Sequence, residues 1–343
     1  MIDIFVLILD FLAFFSIYLI LSISLNLEYG YTGIPNFGKV LFFAGGAFTV
    51  GALASRIIAP LVGVNLAEID FVKYNAFLGI KVTNFFAENP HIALLMFIAL
   101  LALAMMVGAI LGYLASYPAI RLREDYLGMV LVVSGELARI VGKNYDPLIC
   151  GTFGVFVPDP FSWAGRLQSI VRVAVMLAIA YLAFLTVEKL SRSPYGRVLR
   201  AIRDNEVAAD AYGKNIVKVR MQVLVIGSAL AGLAGALYAF YMGTVHPDDY
   251  SPLKTFVVWI MVIMGGRGNN TGAAVGALIY LLVNRTISFI KHWLYAPFDV
   301  NYLSYLIFGA IIILILIYKP QGLIPEKPSE TLDFRKYLKK TKS

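Results

Sequence analysis

The stretch Ile92-Ala93-Leu94-Leu95-Met96-Phe97-Ile98-Ala99-Leu100-Leu101-Ala102-Leu103-Ala104-Met105-Met106-Val107-Gly108-Ala109-Ile110-Leu111-Gly112-Tyr113-Leu114-Ala115-Ser116 carries no charged side chain. A helix of about 20 such residues crosses a 30 Å hydrocarbon core. Eight more apolar runs surround it, at 4–27, 41–64, 127–142, 170–188, 221–242, 255–265, 272–290 and 303–318. The runs 127–142 and 255–265 are short and are read as tilted, broken or re-entrant helices. Irregular backbone at membrane depth survives only where protein or a water-filled cavity shields it. The predicted fold is therefore an all-α polytopic integral membrane protein with about 9 transmembrane segments (8–10), some short or broken.

Composition agrees. Of 343 residues, 59% are hydrophobic and 15% charged, and the mean hydropathy is +0.77. Soluble domains carry about 25% charged residues, so a soluble enzyme, a disordered chain and a disulfide-built secreted module are excluded. Cys150 stands alone and can close no internal disulfide. The first residues, Met1-Ile2-Asp3-Ile4, lack the basic start of a signal peptide, so the first run is read as a retained span.

The net charge of +8 is concentrated in loops. The segment 189–220 holds Lys189, Arg192, Arg197, Arg200, Arg203, Lys214, Lys218 and Arg220, and the segment from 319 holds Lys319, Lys327, Arg335, Lys336, Lys339, Lys340 and Lys342. Lys/Arg-rich loops face the cytoplasm. Nine crossings then leave 65–91, 143–169, 243–254 and 291–302 outside, and Arg121, Arg123 and Arg267 inside. The N-terminus is expected outside and the C-terminus inside. The excess charge is thus a topology signal and points to no nucleic-acid partner. One membrane domain covers 1–325, and a basic tail, expected to be disordered, covers 326–343.

The chain has no G-x-x-x-x-G-K-[ST] phosphate cradle. Its nearest cluster, Gly265-Gly266-Arg267-Gly268, reads as a tight turn between two apolar helices. His91, His246 and His292 are scattered and lack the spacing of a metal site. No hydrolase constellation is present, so a pump built on this chain takes its motor from another chain.

Three features carry information. In Ser193–Gly213, Ser193 is placed to cap a helix with Pro194 at its first position, and Asp204 or Asn205 to cap a second helix ended by Gly213. Arg197, Arg200 and Arg203 are expected to form one stripe, opposite Val198, Leu199 and Ile202. This amphipathic pair is either a lipid-hugging basic anchor or a docking element for a cytoplasmic partner. Next, Gly227, Ala231, Gly235 and Ala239 recur every four residues, a small-residue face for close helix packing that Gly108/Gly112 and Gly272/Gly276 repeat. Last come ionisable groups in or near spans: Asp10, Arg56, Glu136, Arg139 and Arg285. Glu136 and Arg139, three apart, are expected to pair on one helix face, Arg56 and Arg285 to reach an interface, and Asp10 has no partner in sequence.

In order and spacing these segments resemble the permease subunits of branched-chain amino acid ABC importers, in the LivM-like branch. The likeness runs from Leu25-Asn26-Leu27-Glu28-Tyr29-Gly30-Tyr31-Thr32-Gly33 through Asn36-Phe37-Gly38, Gly46-Ala47-Phe48, Tyr117–Tyr126 and Gly135–Arg139. Its most specific part is Ser193-Pro194-Tyr195-Gly196-Arg197 with Arg200–Glu206, and it closes on Gly265–Gly268 and Pro320-Gln321-Gly322-Leu323. It implies a transport subunit that is not an enzyme and has no cofactor of its own, ATP being bound by partner subunits. The implied partners are two cytoplasmic ABC ATPases, a second permease (paralogue or second copy) and an external solute-binding protein, in the cell membrane. It makes Pro194, Gly196, Arg197, Arg200, Arg203, Asp204 and Glu206 an ATPase-coupling segment. Two places depart from the family pattern: Cys150-Gly151-Thr152-Phe153-Gly154 replaces a Thr-Gly-Gly-rich stretch, and Lys39 replaces a small or neutral residue. Related permeases carry urea, amides or sugars, so those cargoes stay open beside amino acids. From other classes, an ion-driven transporter or channel with Glu136 as a proton-linked residue, and a structural membrane protein, also stay open.

Overall fold

The computed structural model describes residues 4–65, 70–122, 124–290 and 301–326. Expectations for Arg123, His292, most of the loop 291–302 and the tail beyond 326 lie outside the described residues, as does the side chain of Arg121. The chain is helical almost throughout. Helix α1 (Ile4–Leu25) runs into a π-helical turn (Asn26–Gly30), and α2 (Lys39–Ile58) into a 3-10 turn (Ala59–Val62). There follow α3 (Phe71–Glu88), α4 (Pro90–Arg121), α5 (Glu124–Asn144), the single turn α6 (Asp146–Ile149), and α7 (Gln168–Arg192). Two short helices, α8 (Pro194–Asp204) and α9 (Glu206–Ala211), precede α10 (Ile216–Met242), α11 (Leu253–Gly265), α12 (Asn270–Ile290) and α13 (Asn301–Tyr318). The two-residue strands β1 (Val155–Phe156) and β2 (Thr244–Val245) pair antiparallel, Val155 opposite Val245.

Each of the nine apolar runs is a helix. Among the described residues, five segments are long and apolar enough to cross a membrane: Ile4–Gly30, Lys39–Val62, Pro90–Pro118, Ser162–Arg192 and Ile216–Met242. The run 127–142, expected to be short or broken, lies inside the unbroken 21-residue α5. Its ends are polar, so hydropathy alone truncates it. By contrast α11 has 13 residues, about 20 Å of helix, shorter than a 30 Å hydrocarbon core. One helix was not expected: α3, within the loop 65–91, is capped by Asp70 and buries Leu78, Val82 and Phe86.

Helix α10 is the centre of the bundle. Its glycines bring backbones into contact, because a Cβ at Gly235 would sit 1.9 Å from the Phe43 carbonyl oxygen of α2. On another side, a Cβ at Gly232 would sit 2.5 Å from the Ala104 oxygen of α4. Small residues supply such surfaces where apolar helices must pack without a hydrophobic driving force between them. The chain breaks at 26–38 and at 243–252, and those breaks position the sites.

Candidate functional site

Local sequence builds α8 and α9. Ser193 Oγ accepts from Gly196 N at 3.4 Å, with Pro194 at the first position, and Asn205 Oδ1 accepts from Ala208 N at 2.9 Å. These caps satisfy amides that a helix start leaves open. Gly213, φ +73°, closes the pair after α9. Gly196 has no room for a side chain, since a Cβ would lie 2.1 Å from the Ser191 oxygen.

The arginine stripe differs from the expected one. Arg197 is exposed, but Arg200 and Arg203 are 17% and 19% exposed and turn towards the bundle. A spacing of three residues falls about 60° short of a full turn, so successive arginines drift towards the face that buries Leu199 and Ile202. Glu326 receives both: Oε1 from Arg200 Nε at 2.8 Å and Oε2 from Arg203 at 2.9 Å. Arg203 also donates to the Gly30 carbonyl at 2.6 Å and bonds Asp204 at 2.9 Å, while Arg200 lies over the Tyr31 ring. Glu206 pairs with Arg220 at 2.8 Å.

Glu326 is itself held. The segment before it crosses the end of α11, where Leu323 N donates to Met264 O at 3.0 Å and Ile324 N to Gly265 O at 2.9 Å. Those carbonyls are orphans of a helix C-terminus. Gly265, Gly266 and Gly268 form the turn into α12, with Gly266 at φ +122° and a Cβ there blocked at 2.1 Å by the Ile324 oxygen. Asn26 joins the same turn, accepting from Gly268 N and donating to Asn270 Oδ1, both at 2.9 Å. The α8–α9 pair is thereby tied to the ends of α1 and α11. Glu326→Gln is expected to remove about 1.5–3 kcal/mol of anchoring. Hydrogen exchange should then speed up about 10- to 150-fold across α8 and α9 and stay unchanged in α10; equal protection in both proteins would show that Glu326 anchors nothing.

Glu28 and Lys39 form a pair that sequence reasoning did not single out. Glu28 Oε2 meets Lys39 Nζ at 2.7 Å and Asn36 Nδ2 at 2.9 Å, with the side chains 0% and 1% exposed. The departure at Lys39 is thus matched by a carboxylate on the preceding helix. The available signal was two opposite charges flanking one Gly/Pro turn between apolar runs.

At the end of the bundle remote from α8, Glu136 does pair with Arg139, and Arg139 and Lys143 both reach Asp248, at 2.8 and 2.6 Å. Asp10 bonds Arg285 and accepts from Tyr241 Oη at 2.5 Å. Arg285 therefore has a carboxylate partner on α1. Arg56 lies over the Phe71 ring and donates to the Pro147 carbonyl. Of the small-residue face, Gly227 lies against the Glu28 carboxylate, Gly235 against α2, and Ala231 and Ala239 are fully buried.

Comparison with known proteins adds the family. Residues 7–316 match the family described as branched-chain amino acid transport system / permease component. The chain is 37% identical to the probable branched-chain amino acid transport permease protein LivM of Methanocaldococcus jannaschii, over 95% of this chain and 96% of that one. It is 28% identical to the high-affinity permease protein LivM of Escherichia coli, over 90% and 68%. A more distant likeness, 24% over 88% and 85%, is to the M. jannaschii permease protein LivH. No solved structure matches. The chain belongs to the branched-chain amino acid transport permease family.

Proposed function

We propose that this chain forms half of the membrane passage of an ATP-driven ABC importer for branched-chain or related amino acids. One observation carries the coupling part of that reading: α8 and α9 form a doubly capped pair at the edge of the bundle, held to it by Glu326, yet Arg197, Val207 and Tyr212 remain uncovered. Val207 and Tyr212 are 81% and 83% exposed, a mixed apolar and cationic surface suited to a groove on an ATPase subunit. Two such subunits bind ATP on the cytoplasmic side. A second permease chain completes the passage, and an external solute-binding protein delivers cargo. The segment 189–220 and the chain from 319 lie in the cytoplasm, and α1 starts outside.

In mechanical terms, closure of the ATPase dimer displaces α8 and α9. Arg203 hands that displacement to Gly30 at the end of α1, and Glu326 hands it to the α11–α12 turn. The spans on either side then exchange between two packings.

The test uses the complete complex in proteoliposomes with ATP and labelled leucine. Arg197→Glu is expected to lower ATPase co-purification and leucine uptake at least tenfold, with the melting temperature of the permease unchanged. Uptake that needs an ion gradient instead of ATP would overturn the importer reading.

A further inference from the structure

After each break a helix resumes, and α2 and α11 meet start to start: Val40 N donates to Thr255 Oγ1 at 3.0 Å. Each carries a lysine in its first turn, Lys39 and Lys254. A helix start is the positive end of the dipole, so lysine is the unfavourable choice there. Lys39 is answered by Glu28. Lys254 has no carboxylate in ion-pair contact among the described residues, and Asp249 acts on its charge only through space. Its Nζ is buried without a hydrogen-bond acceptor, 3.9 Å from the Tyr238 ring centre and 5.4 Å from those of Phe43 and Tyr250. Three rings steady a cation but leave its N–H donors unused.

Lys254 borders a cavity of about 390 Å³ between α1, the 247–250 turn, α11, α12 and α13, within the range of about 300–1,000 Å³ for small-molecule sites. Asp249, Val257, Ile260 and Phe308 also line it. Asp248, at the same cavity, is neutralised by Arg139 and Lys143, whereas Asp249 forms no ion pair among the described residues. A cation without a hydrogen-bond acceptor, a carboxylate without an ion-pair contact and an apolar wall therefore share a single cavity. That is the complement of a zwitterion with an aliphatic side chain; urea and sugars have no use for either charge.

We infer that this cavity is a passage site for the amino acid cargo, with the α-carboxylate on Lys254, the α-ammonium on Asp249 and the side chain against Val257, Ile260 and Phe308. The inference rests on the amino acid reading above. Rings in place of a bound carboxylate hold Lys254 ready between cargoes.

The reconstituted complex separates the two ideas. If the unmodified complex fails to carry leucine, the amino acid reading itself falls before any variant is made. Given uptake, Lys254→Met and Asp249→Asn are each expected to lower the initial rate tenfold or more at equal recovery of the complex, and Lys254→Arg to restore most of it. A diazirine analogue of leucine should label residues 248–260 in the unmodified complex and fail to do so in Lys254→Met. Wild-type rates in both charge-neutralised variants, or labelling confined elsewhere, would overturn the site. Should Lys254→Met not assemble, Asp249→Asn and the labelling of the unmodified complex decide.

Discussion

Glu28→Gln is expected to destabilise the protein by about 3–5 kcal/mol, because it leaves the Lys39 ammonium buried with no countercharge. Lys39→Met is expected to do the same from the other side. Neither side chain has a route to water, at 0% and 1% exposure. A rotamer change offers little relief, because Asn36 fixes one carboxylate oxygen and Gly227 packs on the other. The double variant Glu28→Gln/Lys39→Met removes both charges and should recover most of the loss, since a buried pair and a neutral replacement are often of similar stability. Thermal unfolding in detergent checks this, with the two midpoints of the single variants falling well below that of the double. Trp259, which donates to the Asn36 carbonyl at 3.2 Å, reports locally. Single variants as stable as the parent would show that the two groups are neutral when buried.

The second large effect is steric. A Cβ at Gly46 would lie 1.9 Å from the Gly232 carbonyl oxygen and 2.7 Å from its Cα. Those are backbone atoms, so no neighbouring rotamer can make room. Moving α10 away is blocked too, because Gly232 is already against Ala104 and Gly108 of α4. Overpacking typically costs about 1–3 kcal/mol, and here three helices must part. Gly46→Ala is expected to cost at least that, and Gly46→Leu to abolish recovery of monodisperse protein by size-exclusion chromatography. Gly309→Ala, with nothing within 4 Å of the new methyl group, serves as the contrast and should be neutral or slightly stabilising. Equal behaviour of Gly46→Ala and Gly309→Ala would refute the close-packed arrangement.

What could be read from sequence divides by distance along the chain. The spans were legible because long apolar runs have few other uses, and the caps at Ser193 and Asn205 because capping acts over three residues. α3 was not, since Lys73, Asn75 and Lys81 break the continuous apolar run by which a membrane helix is recognised. The facing of Arg200 and Arg203 escaped because a helical pattern gives angles between residues and not which angle meets the bundle. The partners of charged groups were hidden for a plainer reason. Asp10 meets Arg285 across 275 residues and Arg200 meets Glu326 across 126, and nothing local encodes such pairings. Lys254 shows the same limit, as its isolation is visible only once the rings of α2 and α10 surround it.

The clamp on α8 has a consequence for biosynthesis. A ribosome adds Arg200 126 residues before it reaches Glu326, which at about 5–20 residues per second leaves roughly 6–25 s. During that interval Arg200 lacks its carboxylate and Arg203 has only Asp204 and the Gly30 carbonyl, so the helix pair is not yet fastened to the α11–α12 turn. A chain stalled or cleaved upstream of Pro320 would carry every span and still present an unfastened α8. The fastening of α8 is therefore among the last contacts of the described chain to form, after every described helix has been made.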